Sequence, residues 1–149
     1  MVDEVVLRAF DNAVRDAGNK RNQLQFEVNE LRSRLAEAAG NLQRAQNQEQ
    51  ASRERHRLKS EEHRKVLAFY NGEADKTGLG AILTQIDGLV DQTNAILLEV
   101  RKAEEIRMGS HRDHEQAKID LAVGESNLKN AQKEWLEVSE RSRKAREEQ

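Results

Sequence analysis

The stretch YNGEADKTGLGAI, running from Tyr70 to Ile82, decides the fold. Before it, apolar residues return every seven positions from Leu7 onward. After it, a second series begins at Ile82, whereas continuing the first would place its next two inward positions at 77 and 80. The two series are out of phase, so the segment between them interrupts the helix. Gly72 sits where a helix takes its C′ glycine, and Asp75 or Thr77 sits where the next helix takes its N-cap. That reads as a turn. The expected fold is all-α: a long antiparallel two-helix coiled-coil hairpin over residues 1–149, with arm one over about 3–70, the turn over about 71–79 and arm two over about 80–147.

In heptad notation, the a positions of arm one are Leu7, Val14, Arg21, Val28, Leu35, Leu42, Glu49, His56, His63 and Tyr70. Its d positions are Phe10, Ala17, Leu24, Leu31, Ala38, Ala45, Ser52, Lys59 and Val66. Of these 19 sites 13 are apolar, about twice what a 36% apolar composition supplies by chance. Arm two repeats the pattern through Ile82, Ile86, Leu89, Thr93, Ile96, Val100 and Ala103 to Ala145, again with 13 of 19 apolar. With Tyr70 set beside Ile82, facing residue numbers total 152, which places Val28 on Gly124, Ala17 on Trp135, and Leu24 and Leu31 on Leu128 and Leu121. In that half of the chain large residues mostly face small ones, as close packing requires.

Toward the turn the match fails. Arm one offers Glu49, Ser52, His56, Lys59 and His63, while arm two from Leu79 to Val100 is the most apolar part of the chain. A second stripe, Leu83, Val90 and Leu97, runs beside the first at e positions. Residues 79–100 therefore carry more apolar surface than one polar helix covers, and a further helix is implied. The predicted interface is Ile82, Leu83, Ile86, Leu89, Val90, Ile96, Leu97 and Val100, with two hairpins dimerising into a local four-helix bundle as the simplest use of it.

Composition narrows the functional classes. The chain has no proline and no cysteine, with 35% charged and 3% aromatic residues. Proline costs about 3 kcal/mol inside a helix, so its absence suits continuous helix. Without cysteine, disulfides, thiolate zinc sites and thiol catalysis are excluded. The charge is even, 13 basic and 13 acidic residues through Asp75 and 12 and 14 after it, so no half is the polycation that nucleic acid would select. The opening Met1-Val2-Asp3-Glu4 is acidic where a secretory leader is basic, and the longest apolar run is 66–70. Neither leader nor membrane span is expected, and the cytoplasm is the default compartment.

Local constellations favour structural readings. His111 and His114 share a helical face at i,i+3 spacing, but a metal needs three or four ligands and the facing segment offers only Glu37. His56 and His63 fall in the seam by register. Arg53, Arg55, Arg57, Lys59, Arg64 and Lys65 are basic, yet Glu54, Glu61 and Glu62 interleave with them, as on a solvated helical face. Gly78-Leu79-Gly80 is too short for a phosphate loop and lacks its lysine. A two-helix chain has no concave, water-excluding site, so no enzyme activity, cofactor or metal is expected.

The reading that remains is a scaffold or adaptor working through protein–protein contacts of arm two near the turn, its partner being itself or another protein. In length and two-helix plan the chain resembles the stalk proteins of flagellar and type III secretion export ATPases, which insert a helical hairpin into an ATPase ring. That resemblance of architecture implies a regulator of such an ATPase as the alternative. A virion or phage structural component is the third reading.

Overall fold

The computed structural model describes residues 3–73 and 77–148. It is all-helical: α1 runs Glu4–Gly72 and α2 runs Gly80–Glu147, and the two pack on one another as a helical hairpin. Contacts divide the chain into two compact units, unit 1 being Met1–Ala38 with His114–Gln149 and unit 2 being Ala39–Asp113.

The helix ends follow from local chemistry. Asp3 caps α1: its Oδ1 accepts the Val5 N–H at 3.0 Å and its carbonyl accepts the Leu7 N–H at 3.1 Å. Lys144 and Arg146 in the last turn of α2 complement the negative end of that helix. At the turn, two expectations are corrected. Gly72 is not a left-handed C′ residue but the last residue of α1, because the Glu73 N–H reaches back three residues to the Tyr70 carbonyl at 3.3 Å and tightens the final turn instead. The left-handed residue is Gly78, with φ of +80°, where a Cβ would be strained. Thr77 lies two residues ahead of the N-cap position, which Leu79 takes; the Leu79 carbonyl opens that helix, accepting from the Ile82 and Leu83 N–H groups at 3.1 Å. Asp75, the other expected cap, lies outside the described residues.

Every a and d position of both series is buried or half-buried, so the seven-residue period does mark the inward face. In unit 1 the contacts include the expected pairing of Val28 with Gly124 and add others beside it. Gly124 lies against both Val28 and Leu31: a Cβ built on it would meet Leu31 Cδ1 at 2.7 Å and Val28 Cγ2 at 3.6 Å. Trp135 lies against Gly18 and Arg21, whose guanidinium carbon is 4.2 Å from the ring centroid. In unit 2, Glu49 meets Arg107. Beside the a-to-d contact of Val28 with Gly124, at a total of 152, side chains also touch d to d and a to a, at totals of 155 for Leu31 with Gly124 and 156 for Arg21 with Trp135. The cause is geometric. Helical side chains lean toward their own N-terminus, so in an antiparallel pair the tips that meet belong to residues farther along both chains than the backbones that are level.

This packing separates the glycines of α2. An added Cβ meets nothing within 4 Å at Gly88 or Gly109, but at Gly124 it runs into Leu31. Gly88→Ala and Gly109→Ala should each raise stability by about 0.5–1 kcal/mol through helix propensity. Gly124→Ala should instead lower it by about 1–3 kcal/mol, because Leu31 must leave its position. Leu31→Ala should cost less in the Gly124→Ala background than in the native chain. Chemical denaturation of the four variants checks all three statements.

Candidate protein-binding surface near the turn

The seam of unit 2 is built around a charge. Glu49 and Ser52 are buried, and Ser52 is only 1% exposed. The Glu49 carboxylate accepts from Arg53 Nη2 at 2.8 Å and Nε at 3.1 Å, and from Arg107 Nε across the helix pair. Arg55 donates to Ser52 Oγ at 3.4 Å. The Arg53 hydrogen bond, opposed by desolvation and reinforced by Arg107, holds the Glu49 carboxyl below its usual range. Farther along α1, Lys59 stays in the seam with its side chain 28% exposed and its Nζ on Glu62 at 3.0 Å. A lysine can keep its aliphatic stem on apolar surface while its ammonium reaches water. The polar segment of α1 therefore covers the inward stripe of α2, and the surplus of apolar surface is smaller than the sequence suggests.

What remains lies along the edges of the hairpin. On the edge formed by the e positions, ion pairs in unit 1 join Arg32 to Glu125 at 3.6 Å and Asp11 to Arg146; in unit 2 Arg53 joins Glu104 at 3.7 Å. All three have residue numbers totalling 157. On the g edge, Lys20 with Glu134 at 3.5 Å and Arg55 with Glu99 at 2.9 Å total 154. Carrying the e series of unit 2 past Arg53 and Glu104 gives Ser60 with Leu97, then Leu67 with Val90, and Leu83 nearest the turn. The charged pairs give way to apolar ones there. Leu67, Val90 and Leu83 are 36%, 37% and 44% exposed. On the g edge Phe69 is exposed beside a shallow groove that it lines with Lys65, Val66, Ile82 and Gln85.

Of the eight residues the sequence assigns to an interface, Ile86, Leu89 and Val100 are buried in the seam, and Ile82, Ile96 and Leu97 are half-buried. Leu83 and Val90 are exposed. Leu67 and Phe69 join them from α1, where the sequence shows them only as part of the apolar run 66–70. Arg53, Arg55, Arg57 and Lys59 are all engaged with carboxylates, whereas Arg64 and Lys65 of the same cluster make no ion pair among the described residues. His111 is exposed, and His114 stands 3.9 Å from a Glu115 oxygen. Among the described residues no cluster of three or more histidines and carboxylates could hold a metal, and no helix is long and apolar enough to cross a membrane.

The buried pair makes a measurable prediction. Because the folded-state pKa of Glu49 lies below its ordinary 4.5, its contribution is present above that value and is lost as pH falls through the lowered one. Stability should therefore drop on acidification, and less steeply in Glu49→Gln. At neutral pH Glu49→Leu should cost about 1–3 kcal/mol by leaving Arg107 without its acceptor. The double variant Glu49→Leu/Arg107→Leu should recover most of that loss, since an apolar pair of similar volume replaces a buried ion pair at little cost. Denaturant titrations between acid and neutral pH check both.

No family model, no curated protein sequence and no solved structure matches this chain. The functional reading accordingly rests on the chemistry of its own residues.

Proposed function

We propose that the protein is a non-enzymatic coiled-coil scaffold or adaptor whose contact end is the turn-proximal part of unit 2. The observation that supports this reading is the change of character along the e edge. Arg53 and Glu104 close that edge with an ion pair, whereas Leu67, Val90 and Leu83 leave apolar side chains in water. Scattered exposed apolar residues need no explanation, but a stripe spaced to continue a pairing series is the mark of surface meant to be covered. The rest of the molecule, whose exposed apolar residues such as Phe26, Ile106 and Leu136 lie outside this pairing series, serves as the support that carries it.

The test is Leu83→Glu/Val90→Glu, compared with Ile119→Glu/Val123→Glu, which alters exposed apolar residues of unit 1. Both variants should keep their helix content and unfolding midpoint to within the small changes typical of surface substitutions, about 0.5 kcal/mol. Proteins that co-purify with the native chain should be lost from the first variant and kept by the second. Retention of every native partner by Leu83→Glu/Val90→Glu would overturn the reading.

A further inference from the structure

The apolar edge of unit 2 is flanked by unlike charges. Around a helical wheel the b position follows e, so on α1 Arg64 borders Leu67, and on α2 Asp87 borders Leu83 and Val90, with Asp91 next beyond it. Arg64, Asp87 and Asp91 are all exposed. Unlike Arg53, Arg55 and Arg57, none of them makes an ion pair among the described residues. Crossed from one helix to the other, the surface therefore runs basic, apolar, acidic. The totals of 154 and 157 that describe pairing in this unit set Arg64 level with residues 90–93 of α2, within a turn of both aspartates.

We propose that this surface is the face of a homodimer. A second copy stacks edge on edge with both turns at the same end, so that the Leu67, Leu83 and Val90 stripes cover one another and Arg64 of each copy meets Asp87 and Asp91 of the other. This deepens the contact-end reading above and rests on it. A dimer of identical chains uses the same patch twice about a two-fold axis. With the axis along the helices, α1 of one copy lies over α2 of the other, and basic meets acidic on both flanks. With the axis across the helices, α1 lies over α1 and Arg64 meets Arg64. Electrostatic complementarity selects the first arrangement. Unlike charges on its two sides let this patch pair with its own copy without setting like charges against one another. The patch ends at Arg53 and Glu104 and exposes only Leu67, Leu83 and Val90 at its centre, far fewer side chains than the roughly 20–30 residues a side of a standard interface, so the dimer is weak and concentration-dependent.

The test is a charge swap on the full chain, read by analytical ultracentrifugation at concentrations up to the order of 1 mM. The native protein should dimerise. Arg64→Glu and Asp87→Lys/Asp91→Lys should each weaken dimerisation by about 10-fold or more, because each homodimer sets like charges opposite one another twice. An equimolar mixture of the two variants should restore it, since each flank of the mixed dimer again joins opposite charges. A native chain that stays monomeric throughout, or variants that dimerise as the native chain does, or a mixture that stays monomeric, would overturn the proposal. The two readings separate: a monomer that still loses partners on Leu83→Glu/Val90→Glu sinks the homodimer alone, and a charge-swappable dimer whose partners survive that substitution sinks the adaptor role alone.

Discussion

Burial along a single stripe is the constraint on which everything else in this molecule depends. Two helices can shield only the residues that face each other, and each residue in the seam has few neighbours. Val28 and Ser52 are the largest side chains that are fully buried. Every other inward side chain keeps some contact with water, so stability has to be accumulated layer by layer along the seam. Small residues are therefore as necessary as large ones. Ala17, Ala38, Ala45, Ala103, Ala131 and Ala145 are all buried, and they let the helices approach closely enough for the larger residues between them to be covered.

The same constraint explains how much could be read from the residues. The period of the apolar pattern follows from helix geometry alone, so both helices, the inward face and the position of the turn were legible. Contacts between side chains were less so, because backbone level and side-chain contact differ in an antiparallel pair. The ring of Trp135, for example, lies on Gly18 and Arg21, one and four residues beyond the Ala17 that a backbone total of 152 puts opposite it. The cap of α2 was misread because Thr77 has a capping side chain and Leu79 does not, yet the chain turns at Gly78 and hands the first carbonyl to Leu79.

Near the turn, legibility failed in another way. Counting Glu49, Ser52, His56, Lys59 and His63 as polar suggested that α1 could not cover α2. Polarity, however, resides in the tips of these side chains. Glu49 is satisfied by two guanidinium groups, and Lys59 keeps most of its side chain out of solvent with its ammonium on Glu62. The candidate surface therefore shrinks from a whole face to an edge, and on that edge it gains Leu67 from the other helix. No sequence signal replaces the pairing rule that reveals it, because the rule is anchored by ion pairs such as Arg53 with Glu104.

Heptads are interchangeable by construction, since sliding one helix past the other by seven residues returns a to a and d to d. An ideal repeat would therefore slip. Three layers break the degeneracy: Leu31 fits a missing side chain at Gly124, Arg21 sits on the ring of Trp135, and Glu49 neutralises Arg107. A slide of one heptad would set Glu49 against Val100 or His114 and would put Leu31 against Ala117 or Ala131. These unlike layers work as the teeth of a key cut into an otherwise uniform blade: they admit one alignment and make its neighbours poor fits.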